Sequence, residues 1–300
     1  MGALAKSRCS APSQSSLSAR HQAPARLDVM VPHGGGDRLP VYVYFHGGGW
    51  TSGDKSALTK YCASQAAAGM VVVNANYRRA TAFGMQHMIE DAESVLGWVR
   101  EHIGEYGGDP ESVVLGGDSA GGQIAALYTA VVTRPELANY YGVTPAVDVR
   151  AIRGLVQHCS AVDFSVLFER GFILSLGFVR MLLPRRARAA TSTRLGLRRA
   201  ARFLSPIEWV NAAHPPVFVT TSERDYFYRA SLNFVDRLRA HGVAVDTLVF
   251  DRSRRNTEHT WQQNSRFPEP QEVYAGLKDF VEKVTFDCTA DLGLRNRFVP

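Results

Sequence analysis

The sequence predicts an α/β fold: a mostly parallel central sheet, helices on both faces and a helical insertion. Three observations carry this. From residue 39 to residue 284, short apolar runs alternate with longer segments of helical spacing. Several of the short runs, such as SVVLGG at 112–117, are continuously apolar, as strands buried on both faces are. The rhythm breaks once, at residues 160–204, as an insertion between two strand-helix units would break it.

The elements follow in order. Residues 1–26 are rich in Ser, Ala and Arg, hold no acid and lack the apolar centre of a secretory signal. They are expected to form a disordered tail, with a transit peptide as the rival reading. Residues 27–300 are expected to form one domain. LPVYVYF (39–45) reads as a strand entering a glycine loop, and SALTKYCASQAAAG (56–69) as a helix that Gly69 ends. MVVVNANY (70–77) is a strand. Ile89, Ala92, Val95, Leu96 and Val99 give the segment 88–102 a helical apolar stripe. The strand at 112–117 leads into a helix at 121–132. IRGLVQHC (152–159), PPVFVTTS (215–222) and VDTLVF (245–250) are three further strands. RASLNFVDRLRAHG is a helix closed by Gly242, and a last helix spans 270–284. No internal repeat is present.

Composition narrows the functional classes. Hydrophobic residues make up 45% of the 300, enough for a full core. Cys9, Cys62, Cys159 and Cys288 are widely spaced with no C-x-x-C pair. That argues against a zinc site or disulfide framework and for reduced thiols in a cytoplasmic protein. No apolar run reaches the ~20 residues of a membrane-spanning helix.

Chemistry concentrates at two motifs. Gly117-Asp118-Ser119-Ala120-Gly121 fits G-x-S-x-G between a strand and a helix, the setting in which a serine is lifted onto a sharp turn as a nucleophile. Small neighbours let the chain reverse there, and a plain glycine turn is the bland alternative. His46-Gly47-Gly48-Gly49-Trp50 follows the first strand. Backbone N–H groups of Gly47 and Gly48, joined by that of Ala120, are expected to hold the oxyanion of a tetrahedral intermediate. His46 is read as a brace for the loop. Trp50 is expected as a pocket wall or loop anchor.

HGGGW, the NYR at 76–78 and GDPESVVLGGDSAGG together resemble the α/β-hydrolase fold, in its hormone-sensitive-lipase-like carboxylesterase branch. The resemblance covers Leu39 to Val284. It implies a nucleophile, an acid after the penultimate strand and a histidine after the last. Ser119, Asp225 and His259 occupy those places as the implied catalytic triad. Glu223, Asp246 and Asp251 are the rival acids; His158, His214 and His241 are the rival histidines. His158, ending a strand, is expected to line the substrate pocket. Two departures stand out. Thr260-Trp261 follow the histidine where the family often has glycine or a small aliphatic residue, and the N-terminal segment is short for the family's helical cap.

The implied activity is hydrolysis of small-molecule carboxylic esters with short to medium acyl chains, with no metal or cofactor. Amide hydrolysis of the arylformamidase type uses the same intermediate, and a non-catalytic receptor on the same fold is the rival from another class. The resemblance places a cap at 160–204. Nine arginines and no acid lie between Arg170 and Arg202, beside the apolar GFILSLGFVRMLL. That pattern suits either an ordinary solvated cap or a peripheral contact with anionic lipid. Nucleic-acid binding is not expected, since no recognition motif accompanies the charge. Oligomeric state is not legible.

Overall fold

The computed structural model describes residues 6–10, 26–169, 175–184, 187 and 191–294. Eight strands form one sheet: β1 (Lys6–Ser10), β2 (Arg26–Met30), β3 (Leu39–Phe45), β4 (Val71–Ala75), β5 (Gly108–Asp118), β6 (Ile152–His158), β7 (Val217–Ser222) and β8 (Val245–Phe250). Their order is β1-β2-β4-β3-β5-β6-β7-β8. The pairs from β4 to β8 are parallel, and β1 and β2 are added antiparallel at one edge. The mostly parallel sheet expected from the continuous apolar runs is therefore present.

Strand alternation sends successive residues into two cores. Val41, Val43, Phe45, Val113 and Leu115 face a core shared with α2 (Met85–His102), α3 (Ser119–Thr133) and a helix at Tyr228–Ala240. Tyr42, Tyr44, Val72, Val114 and Val156 face the other way, against α1 (Thr59–Ala67) and the C-terminal helix Pro268–Leu294. A run in which both parities are apolar is what a sheet covered on both faces requires.

Three differences from the sequence reading have physical causes. Lys6–Ser10, inside the expected tail, pairs with β2, while residues 1–5 and 11–25 lie outside the described residues. β2 was not among the expected strands, and it carries a charged residue. Asp28 is fully buried, and Lys55 Nζ lies 2.6 Å from its carboxylate. A buried charge is tolerated where it is paired. A short helix α4 (Pro135–Tyr141) follows α3, with proline in its first turn and Gly142 (φ 69°) closing it. The insertion between β6 and β7 contains a 3-10 turn (Phe164–Phe168), α5 (Ser175–Leu182) and α6 (Arg194–Ala201). The helix Tyr228–Ala240 is α7 and Pro268–Leu294 is α8. Among the described residues, no helix is long and apolar enough to cross a membrane.

Candidate active site

Ser119 is the first residue of α3, directly after the last residue of β5. Its φ is 51°, in the left-handed region, which costs an L-residue about 1–2 kcal/mol. The surrounding glycines make that turn feasible. A Cβ on Gly117 would lie 2.5 Å from the Gly121 backbone and 2.6 Å from the Phe45 carbonyl oxygen. A Cβ on Gly121 would collide with the carbonyl oxygens of Phe45 and His46, and one on Gly122 with Ser160 Oγ. The end of β3 thus crowds against the first turn of α3, and only glycine fits between them. Small neighbours surround the serine because backbone occupies the space where their side chains would be.

The glycine loop leaves β3 beside this turn. Gly48 (φ 124°), Gly49 (φ 59°) and Trp50 (φ 63°) are all left-handed. Ser52 holds the reversal, its N–H and Oγ both donating to Gly48 O at 3.0 and 2.8 Å. His46 is 2% exposed, stacks on Tyr77 at 4.5 Å and places Nδ1 2.7 Å from Gly47 O. Burial holds its pKa below the ordinary histidine value. It braces the loop, as expected.

Gly47 requires a correction. Its N–H donates to Asp118 Oδ1 at 3.1 Å and is taken. Among the described residues, the N–H groups of Gly48, Gly49 and Ala120 have no such acceptor. Gly48, Gly49 and Ala120 thus keep unengaged backbone N–H groups among the described residues, where Gly47 does not.

Asp118 is fully buried and joins three segments. Its Oδ1 accepts from Tyr44 Oη at 2.7 Å as well as from Gly47, and its Oδ2 accepts from Gln263 Nε2 at 3.0 Å. Strand, glycine loop and the loop after β8 meet on one carboxylate. Burial pushes its pKa up, and the donors pull the other way. Asp118→Asn turns one acceptor into a donor facing a donor. An unsatisfied buried group costs about 1–3 kcal/mol, which the folded variant relieves by shifting the glycine loop and the N–H donors on it, so kcat for an ester is expected to fall by up to about 150-fold with KM little changed. Steady-state kinetics of the folded variant checks this.

His259 lies in the loop after β8, and Asp225 in the turn after β7. His259 Nδ1 is 2.5 Å from Asp225 Oδ2, with that carboxylate fully buried. Phe227 N–H donates to Asp225 Oδ1 at 2.6 Å, which holds the carboxylate in its rotamer. The rival acids are engaged elsewhere: Asp246 with Lys283 at 3.0 Å, Glu223 with Arg252 N–H at 3.1 Å, and Asp251 with its own turn at Ser253.

Two other expected site residues do not line the Ser119 cavity, and for Trp50 the loop-anchor alternative holds. His158 is fully buried between Tyr61 Oη (2.9 Å) and Thr220 Oγ1 (2.7 Å) and does not line the cavity that holds Ser119. Strand parity decides this, since His158 follows Val156 onto the side of α1. Trp50 is 5% exposed and anchors the loop instead of lining the cavity. Its Nε1 donates to Gln123 Oε1 at 3.0 Å, and its ring packs near Phe164 and Phe178 of the insertion.

Ser119, His259, Gly48 and Asp118 line one cavity of about 410 Å³. Tyr226 and Gln263, which sequence reasoning missed, line it too. Tyr226 packs on the His259 ring at 4.0 Å, and burial pushes its phenol up to about 12. A neighbouring cavity of about 570 Å³ shares His259, Thr260 and Gln263. Cys159, Asp225 and His259 bring S, O and N atoms within 4.8 Å of one another, the one such group among the described residues. Burial raises the Cys159 thiol pKa well above its ordinary value.

A family model described as alpha/beta hydrolase fold matches residues 42–257. The chain is 28% identical over 203 residues to a probable carboxylic ester hydrolase LipM of Mycobacterium tuberculosis, a match covering 67% of this chain and 45% of that protein. It is 41% identical over 92 residues to carboxylesterase NlhH of the same species, covering 30% and 29% of the two chains. The chain thus spans less than half the length of these curated relatives. Esterase B of Lactobacillus rhamnosis shares the fold with a TM-score of 0.80 at 20% identity, over 97% of this chain and 89% of that one.

Proposed function

The chain belongs to the alpha/beta-hydrolase-fold family, and from that membership we propose that it is a serine hydrolase of small-molecule carboxylic esters. One observation carries the reading. A strained serine on a strand-to-helix turn shares a cavity with a histidine whose Nδ1 is bonded to a buried carboxylate. The names of LipM and NlhH point the same way.

Ser119 Oγ attacks the acyl carbon while His259 Nε2 takes its proton. Asp225 fixes the tautomer that leaves Nε2 free and stabilises the imidazolium. The N–H groups of Gly48, Gly49 and Ala120 hold the oxyanion. The alcohol leaves with the proton from His259, and an acyl-serine remains. Water then attacks under the same histidine, releasing the acid and restoring the serine hydroxyl. No step needs a cofactor.

Residues 160–204 act as a cap in this reading, with Phe164 and Phe178 meeting Trp50 of the glycine loop. The cavity of about 410 Å³ suits short to medium acyl chains. Buried free thiols at Cys62 and Cys159 fit a reducing compartment such as the cytoplasm.

A series of p-nitrophenyl esters from acetate to palmitate tests the reading. Turnover is expected to peak between the two- and eight-carbon acyl chains, with covalent labelling by a fluorophosphonate. Faster turnover of an N-formyl arylamine would move the assignment to amide hydrolysis. A folded protein that neither turns over any substrate nor labels would be the non-catalytic receptor.

A further inference from the structure

The exposed face of α6 is unlike the rest of the surface. Leu197 and Ala201 turn inward, and Arg194, Leu195, Arg198 and Arg199 turn outward, with Arg202 exposed in the next turn. Leu195 is 61% exposed, more than any other large apolar side chain among the described residues. Several arginines elsewhere meet carboxylates, among them Arg38 with Asp109, Arg78 with Asp91 and Arg229 with Glu169. Among the described residues, none of Arg180, Arg194, Arg198, Arg199 and Arg202 has such a partner, and the sequence has no acid from 170 to 202.

These arginines are not equivalent. Arg194 donates to the Phe168 carbonyl, and the Arg202 guanidinium lies over the Phe203 and Trp209 rings at 5.6 and 5.3 Å. Among the described residues Arg198 and Arg199 make no such contact, and both are exposed. Arginines four apart on one face, 194/198 and 198/202, repel one another and work against the helix. An opposing anionic surface removes that penalty. Leu195, in the middle of the charges, fits a surface with an apolar layer beneath its charged groups.

We propose that this face of the cap docks on an anionic phospholipid surface, with Arg198 and Arg199 at the headgroups and Leu195 in the acyl boundary. A nucleic acid would answer the arginines but leaves the exposed leucine without a role. Phe178 of α5, 37% exposed, packs 6.0 Å from Trp50. The docking helix α6 packs against α5, which in turn meets the glycine loop. The inference does not depend on the ester-hydrolase reading.

Flotation of the full chain with vesicles tests it, using equimolar phosphatidylcholine and phosphatidylglycerol beside pure phosphatidylcholine. Binding to the mixed vesicles alone is expected, and salt should weaken it. Each arginine near such a surface contributes about fivefold, so R198Q/R199Q should lower partitioning about 30-fold, while R198K/R199K retains it. Leu195→Ser should lose about tenfold or more. Hydrolysis of a water-soluble short-chain ester should be unchanged in all three variants. Equal recovery of wild type and R198Q/R199Q, equal binding to pure phosphatidylcholine, or loss in R198K/R199K would overturn the proposal. So would binding to duplex DNA that outcompetes the mixed vesicles and is lost in R198Q/R199Q.

Discussion

Ser119→Ala is expected to lower kcat for a p-nitrophenyl ester about 10⁴- to 10⁶-fold while the protein stays folded. Alanine keeps the Cβ and the same strained φ of 51°, so the turn pays no new steric penalty. Only the hydroxyl is removed, and water held by the same oxyanion donors supplies the residual rate. Ser119→Gly separates chemistry from strain. It too should be inactive, yet relief of the left-handed conformation, about 1–2 kcal/mol, outweighs the entropy glycine adds to the unfolded chain, about 0.5–1 kcal/mol. Its thermal midpoint should therefore equal or exceed that of the wild type. Turnover surviving in Ser119→Ala would place the nucleophile elsewhere. A glycine variant that melts below the wild type would show that Ser119 stabilises the turn it strains.

That pair of variants probes the most legible part of the molecule. Glycines at 117, 121 and 122 announce the turn because their Cβ positions are occupied by backbone or by Ser160. The same holds at Gly48, where a Cβ would collide with the Ser52 carbonyl. Such steric demands are local and leave a mark in the sequence. Partners brought together across the sheet leave almost none. Gly47 and Asp118 meet because β3 and β5 are neighbours in a register that sets Phe45 beside Gly117. A one-dimensional reading counted the Gly47 N–H as free, since nothing in HGGGW says which strand lies alongside. Gln263 and Tyr226 depend on loop conformations set by Thr260 (φ 61°) and by the turn at Asp225, and no spacing signals them.

Buried polar residues in the strands are legible only in part, as β2 and His158 show. Asp28 lies in β2, for which no strand was expected, and Lys55, far along the chain, neutralises it. His158 seemed aimed at a ligand, although its place two residues after Val156 already put it on the face of α1. Parity was available in the sequence there. The hydroxyl partners Tyr61 and Thr220, which make its burial tolerable, were not.

The same histidine should make the protein acid-labile. Burial lowers the His158 pKa to about 3 and that of His214 to about 4, against 6.5 for an ordinary imidazole. Between those values and 6.5 the unfolded chain binds a proton at each site that the folded chain does not. Acid therefore draws the equilibrium towards the unfolded state, and the stabilisation is fully present above pH 6.5 and lost as pH falls. Each group contributes up to about 1.4 kcal/mol per pH unit once the unfolded imidazole is protonated, so together they remove about 3 kcal/mol between pH 6.5 and 5. That is a large share of a typical stability of about 5–15 kcal/mol. Asp91 and Asp118 act in the opposite sense, because burial raises their pKa values and protonation relieves them as pH falls. His158→Gln isolates the histidine, since glutamine can still reach a hydroxyl and the carboxylates are common to both proteins. Urea unfolding at a series of pH values should show the wild type losing stability about one proton more steeply than the variant between pH 4 and 6. Parallel curves would mean that His158 takes up its proton in the folded state, and that the chain through Tyr61 and Thr220 opens to admit it.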